Sequence, residues 1–253
     1  MKAMILAAGL GKRLRPLTET TPKPLLKVGN KPLIQYHIER LVSSGVRELV
    51  INTSWLGDQI EAFLGDGSRF GVDIAWSRER EPLETGGGIR RALPLLGSEP
   101  FLLINGDVWT DYPLVDLVAQ TWPEDMGAHL VLVPNPIHHL DGDYTLDNKQ
   151  KVGYSTVSDK KKNDKNWSDK KQGDKAFTFS GLSVMCPEIF AVYSSASEKF
   201  PLRDVLARGI NTGCVYGEIF RGTWWDVGTL ERLEALNLLV SGREVSPEKK
   251  AEN

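Results

Sequence analysis

The sequence predicts an α/β chain built on a doubly wound, mostly parallel sheet, with a small antiparallel ribbon inserted late. Three observations lead there. Short apolar runs bounded by glycine alternate with segments of helical period, an order that implies right-handed crossovers between parallel strands. Glycines stand directly after two of those runs, at Gly9 and Gly106. These are carboxyl ends of strands, where ligands of such sheets bind. The rhythm breaks in one region, residues 141–184. With 253 residues, length alone fits one large domain as well as two small ones. We take residues 1–241 as one domain and 242–253 as a frayed tail.

The elements follow in order. Lys2–Ala8 is an apolar run ended by glycine and reads as a buried strand. Pro32–Ser44 is a helix with proline in its first turn and Gly45 as its stop; Leu33, Ile34, Ile38, Leu41 and Val42 recur at helical spacing. His37 within it reads as a packed or surface histidine rather than a ligand. Arg47–Thr53 is β-rich, and Asp58 is placed to cap a short helix, Gln59–Leu64. A strand at Val72–Ser77, a helix at Thr85–Leu96 entered through glycines, and an apolar strand at Phe101–Asn105 come next. A helix at Leu114–Trp122 and a strand at His129–Val133 complete the first part.

Tyr144–Leu146 and Val152–Val157 form the predicted ribbon. In 158–175 the pair Asp-Lys recurs every five residues, which is neither a helix nor a strand period, and Trp167 is the one large apolar side chain. A mobile, solvated loop is expected there rather than an ordered lid. Thr178–Met185 is again a strand. Helical patterns at Pro187–Tyr193 and Pro201–Thr212, a strand at Cys214–Phe220, and a final amphipathic helix capped by Thr229 close the chain.

Net charge is −2 with acids and bases mixed, which argues against general nucleic-acid affinity but leaves room for a local cationic pocket. No apolar run approaches the ~20 residues of a membrane span. The start reads as a strand, not a signal peptide. Cys186 and Cys214 show no metal spacing and read as buried, reduced thiols. We expect a cytoplasmic protein, a monomer or weak homodimer, with no nucleic-acid or membrane partner.

The densest signal lies in residues 2–27, KAMILAAGLGKRLRPLTETTPKPLLK. A strand running into Gly9 and Gly11 lets the backbone turn sharply and bring bare N–H groups to an anion. Lys12, Arg13 and Arg15 follow at once, and Lys23 stands between Pro22 and Pro24. Together these describe a phosphate-binding site; the plain alternative is a glycine turn with solvated cations. The string is not a P-loop. Nor is it the dinucleotide fingerprint, because Leu14 stands where the third glycine belongs.

Leu6, Ala7, Ala8, Gly9, Gly11, Arg13, Leu14, Pro16, Leu17 and Thr18, then Pro22, Lys23, Pro24 and Leu25, fit the pattern L-A-A-G-x-G-x-R-L-x-P-L-T followed by P-K-P-L. This resembles the signature of the sugar-1-phosphate nucleotidyltransferases, which often have threonine where Lys12 stands. The resemblance covers nearly the whole chain, thinly in 141–176. It implies a Rossmann-like catalytic domain, a nucleoside triphosphate and a sugar-1-phosphate as substrates, and Mg²⁺ as cofactor. Ala7, Ala8, Gly9, Gly11, Lys12, Arg13 and Lys23 would be the phosphate side of the nucleotide site. We find no hexapeptide repeat after the catalytic part.

Joining a nucleotide to a sugar phosphate brings two anions together, so catalysis is mostly positioning and charge neutralisation. Arg13 and Lys23 are the catalytic candidates: Arg13 on the transferred phosphate and leaving pyrophosphate, Lys23 between the substrates. Resemblance implies that Asp107, in Asn105-Gly106-Asp107, and Asp226, in Trp224-Trp225-Asp226-Val227-Gly228-Thr229, jointly hold Mg²⁺. Two carboxylates converging at one sheet edge would repel without a cation between them, so removing either should cost no metal-free stability.

Relatives read the base with Q-x-x-x-L-G-T-[AG]. Here Glu79 replaces the glutamine and Glu84 the glycine, while Thr85 and Gly86 are kept, which leaves the base open. Asn105, Gly142 and Gly181 are the acceptor-side candidates. The E-K-P of relatives is missing, with Asp159-Lys160 its nearest counterpart. Strings like those at 83–89, 105–112 and 200–206 resemble short family members that use UTP and N-acetylmuramic acid α-1-phosphate in cell-wall sugar recycling. The lactyl carboxylate of that acceptor needs a cation or donor, for which Asn105 or a lysine is the candidate. Mannose-1-phosphate guanylyl transfer is the alternative, and a non-catalytic nucleotide sensor on the same fold is a third reading.

Overall fold

Seven strands form the central sheet: β1 (Ala3–Leu6), β2 (Glu48–Thr53), β3 (Asp73–Arg78), β4 (Phe101–Asn105), β5 (Ala128–Val133), β6 (Thr178–Met185) and β7 (Val215–Ile219). Their order is β7-β5-β6-β4-β1-β2-β3. All neighbours pair parallel except β6, which runs antiparallel to both β4 and β5. The computed structural model describes residues 1–155, 175–191, 193 and 197–242. The predicted loop 158–175 and tail 242–253, apart from Lys175 and Gly242, lie outside the described residues, as does Asp159-Lys160.

Successive residues of each strand feed opposite faces, as the period of two demands. Ala3, Ile5, Leu49, Ile51, Leu102 and Ile104 join one apolar cluster; Met4, Val50, Phe101 and Leu103 join the other. Helices cover both faces, which explains why these strands read as continuous apolar runs. Helices Leu33–Ser43, Gly57–Leu64 and Leu114–Ala119 supply Ile34, Ile38, Leu41, Ile60, Leu64 and Leu117 to the first cluster. Helices Glu84–Leu96, Glu188–Ala191 and Leu202–Asn211 supply Ile89, Ala92, Ile189, Val205 and Leu206 to the second.

A third cluster sits beside the sheet. There Leu233 and Leu236 of the final helix, Leu230–Val240, pack with Val227 against Leu14, Leu26, Val28 and Leu33. The ribbon Tyr144–Leu146 with Val152–Tyr154 is antiparallel. A second ribbon, unexpected from the sequence, pairs Val108–Thr110 with Trp224–Asp226.

Several element ends shift by a residue or two, and two differences have a local physical reason. Asp58 does not cap its helix: Leu56, at φ 54°, holds the N-cap position without a side-chain bond, and Asp58 falls in the first turn, where the helix dipole still favours an acid. The helix begun at Leu114 stops at Ala119 rather than Trp122, because Gln120 turns extended (φ −73°, ψ 142°).

Candidate active site

β1 and β4 lie side by side, with Leu6 opposite Asn105. The strand order reverses at this pair: the chain moves from β1 outward through β2 to β3, then returns to β4 on the other side. Loops leaving two such strands diverge and open a crevice. Gly106 closes the base of the crevice. Its N–H donates to the Leu6 carbonyl at 2.9 Å, and a side chain there would drive into that carbonyl oxygen.

The loop after β1 is held from two sides. The Ala7 N–H donates to Asn52 Oδ1 at 2.8 Å. Gly11 has φ 60°, and a Cβ on it would meet Thr18 Cγ2 at 2.7 Å, while the Thr18 hydroxyl donates to the Gly11 carbonyl at 2.8 Å. A 3-10 turn, Lys12–Leu14, follows, anchored by the buried Leu14. Ala7, Ala8, Gly9, Gly11, Lys12, Arg13 and Lys23 all line one cleft of about 330 Å³, together with Asn105, Asp107, Glu79 and Thr85.

A second cavity of about 450 Å³ adjoins it. Glu84, Thr85 and Asn105 line both. Asp143, Tyr144, Phe179 and Arg203 are among the residues that complete the second.

The unexpected ribbon makes the backbones of the two candidate metal carboxylates neighbours, but Asp107 lines the first cleft and Asp226 lines neither cavity. The Val227 N–H donates to the Asp107 carbonyl at 2.8 Å, which sets Asp226 beside the Asn105–Asp107 turn. The expected repulsion is absent, because each carboxylate has its own cation. Lys23 Nζ lies 2.6 Å from Asp107 Oδ2, and Arg232 Nη1 donates to both oxygens of Asp226 at 2.6 and 2.8 Å. His138 Nε2 is 3.1 Å from Asp226 Oδ1. Burial holds the His138 pKa below its usual value against the pull of Asp226. Gly228 is a close approach: a Cβ there would lie 3.2 Å from Arg13 Nη2 and would overlap the Arg232 guanidinium.

Asp107 and Asp226 fit Mg²⁺ in the chemistry of their hard oxygen donors and would be the residues to hold it. Among the described residues no group of three or more His, Cys, Asp or Glu side chains could hold a metal ion. His37 lies beneath this turn, fully buried, and burial lowers its pKa to about 4. It is neutral at physiological pH and is a core histidine, as expected.

Other candidates take different places. Glu79 lines the first cleft, but it is buried and both oxygens are engaged: Oε1 accepts from Asn52 Nδ2 at 2.7 Å and Oε2 from the Leu83 N–H at 2.8 Å. Gly86 lines neither cavity; a Cβ there would meet the Phe200 ring at 2.6 Å, so its smallness serves packing between chain segments. Gly181, at φ 83°, presses on Asn105, with 2.8 Å from its would-be Cβ to Nδ2. Gly142, at φ 63°, packs on Asn135 and lines neither cavity, whereas its neighbour Asp143 lines the second.

Sequence reasoning missed Asn52, His138, Arg203 and Arg232. Arg232 carried a signal: a cation in the first turn of a helix opposes the dipole, and Asp226 explains it.

The model of the nucleotidyl transferase family matches residues 2–241, and the chain belongs to that family. Within it, the chain is 47% identical over 242 residues to the N-acetylmuramate alpha-1-phosphate uridylyltransferase of Neisseria meningitidis serogroup B, covering 94% of this chain and 98% of that protein. A mannose-1-phosphate guanyltransferase of Gibberella zeae is 43% identical over 122 residues, 47% of this chain and 34% of its own length. The fold is shared with HddC of Yersinia pseudotuberculosis, solved with GMP-PN, at a TM-score of 0.73 and 22% identity over 94% of this chain and 99% of that one. No helix among the described residues is long and apolar enough to cross a membrane.

Proposed function

We propose that this protein joins UTP to N-acetylmuramic acid α-1-phosphate, releasing pyrophosphate and forming the uridine diphosphate sugar. The observation that carries this reading is the 47% identity with the neisserial uridylyltransferase across nearly the full length of both chains. The site supports it: two cavities meet where phosphate-binding cations gather. The first takes the nucleotide, with its triphosphate on the 7–13 loop and its base toward Asn52 and Glu79. The second takes the acceptor sugar, and Asn105 stands at their junction.

The acceptor is distinguished from plain hexose phosphates by its lactyl carboxylate. Arg203 is the one cation lining the second cavity among the described residues. Its side chain is 81% exposed, and its Nε lies 3.8 Å from the Asp204 carboxylate, too long for a strong bond. It is thus free to take the carboxylate, a role the sequence suggested for Asn105 or a lysine.

An acceptor phosphate oxygen attacks the α-phosphorus. The bond from that phosphorus to the bridging oxygen breaks, and pyrophosphate leaves with the oxygen. No proton need move, because the acceptor phosphate is already anionic. Arg13 neutralises charge developing on the transferred and leaving groups. Lys23, fixed by Asp107, lies between the two substrates. Asp107 and Asp226 would hold Mg²⁺, which when bound neutralises and orients the triphosphate.

A pyrophosphate-release screen of four nucleoside triphosphates against a panel of sugar-1-phosphates tests this. UTP with N-acetylmuramic acid α-1-phosphate should give the highest kcat/KM. A higher value for GTP with mannose-1-phosphate would overturn the substrate assignment, and no release from any pair with Mg²⁺ would leave a nucleotide sensor.

A further inference from the structure

Glu84 opens the helix Glu84–Leu96 with a backbone φ of 61°. That left-handed region suits glycine and is avoided by other residues. The side chain is exposed, and among the described residues its carboxylate has neither a hydrogen-bond nor an ion-pair partner. As an acid in the first turn of the helix it gains only the modest favour of the helix dipole, which the left-handed backbone offsets.

Yet Glu84 is one of the three residues that line both cavities. Of its two companions, Thr85 is occupied, its Oγ1 accepting the Leu202 N–H at 2.8 Å, and Asn105 is a neutral amide packed beside Gly181, so Glu84 is the one carboxylate of the three. An ionised carboxylate offers acceptors only, and it repels phosphate. It suits neutral donors, and its two oxygens match a pair of adjacent hydroxyl groups. Strained backbone at a cleft is a recognised mark of ligand contact.

We infer that Glu84 is a specificity-determining residue that accepts hydrogen bonds from hydroxyl groups of a sugar ring bound at the junction of the two cavities. The ring is either the ribose of the nucleotide or the hexose of the acceptor. This rests on the transfer reaction proposed above and deepens it.

The test compares Glu84→Gly and Glu84→Gln with the wild type in melting temperature and in kcat/KM for each substrate. Glu84→Gly should melt at or above the wild type, since it relieves the backbone, and should lose at least tenfold in kcat/KM. Glu84→Gln, which keeps one acceptor oxygen, should lose less. If the ribose is the partner, the loss should vanish with 2′-deoxy- or 3′-deoxy-UTP; if the hexose, it should vanish with deoxy acceptors. A Glu84→Gly enzyme with wild-type kcat/KM on both substrates overturns the inference. So does one that melts lower and loses activity equally with every analogue, because the residue is then structural. Should the wild type turn over no pair at all, the reaction itself is refuted, and the inference is decided by calorimetry of UTP and of sugar-1-phosphate binding to wild type and Glu84→Gly, where equal affinity for both ligands overturns it.

Discussion

Replacing Asp107 by Asn should destabilise the metal-free protein, the opposite of what two bare, mutually repelling carboxylates would give. Lys23 Nζ and Asp107 Oδ2 are 2.6 Å apart, with side chains 11% and 39% exposed. At that distance the bare attraction is about 6 kcal/mol for an effective dielectric near 20. Most of it is lost to desolvation and to water around Asp107. Fully exposed pairs retain about 0.2–1 kcal/mol, whereas breaking a buried pair costs about 3–5 kcal/mol because the survivor is stranded. Lys23 is the buried partner, so a loss of about 1–2 kcal/mol is expected, which for a chain this long lowers Tm by about 2–8 °C. Differential scanning calorimetry with chelator and no nucleotide measures it. Lys23→Met and the double variant complete the cycle, and the two losses should be non-additive by about 1 kcal/mol. An Asp107→Asn protein that melts at or above the wild type would refute the reasoning and restore the repulsive pair. In the loaded enzyme the same variant should lose most turnover.

Arg13→Ala should lower kcat by ~10²–10³, the usual cost of one transition-state donor; an unchanged kcat with a raised KM would place Arg13 in ground-state binding. Arg203→Ala should cost at least tenfold in kcat/KM for N-acetylmuramic acid α-1-phosphate and little for N-acetylglucosamine-1-phosphate, which lacks the carboxylate; equal losses on both would end the assignment. His37 is lowered from 6.5 to about 4 by burial, so the unfolded chain binds its proton first. The stability His37 confers is complete above pH 6.5 and is lost as pH falls toward 4, by at most ~3 kcal/mol. A thermal melt series from pH 7 to 5 should show a steeper decline in wild type than in His37→Gln.

The parallel strands were legible because burial on both faces makes them uninterrupted apolar runs. Their ends were legible because Gly9 and Gly106 follow the apolar runs at once; at Gly106 a side chain would meet the Leu6 carbonyl oxygen, whereas around Gly9 the space is open. The direction of β6 was not, since a buried strand reads alike either way. Within the candidate site, the loop cations were read from the glycine turn and the two carboxylates were expected from the family resemblance. Their partners were not legible: Lys23 and Asp107 are 84 residues apart, and pairs of that kind are made by topology. Gly86 shows the converse. Glycine beside a cleft suggested ligand contact, whereas the Phe200 ring explains its size.

The third apolar cluster ties the far end of the chain to the loop region at its beginning. Leu233 and Leu236 rest on Leu26, Val28 and Leu33, and the same helix sends Arg232 to Asp226. Fraying of this helix would therefore release Asp226 from its guanidinium and loosen the segment that carries Lys23. Ligand occupancy and local opening then compete for one helix. Amide hydrogen exchange across 230–240 should slow when nucleotide binds, although the helix covers the cleft with none of its own residues, so the last turns of the chain serve as a thermodynamic gauge of how full the site is.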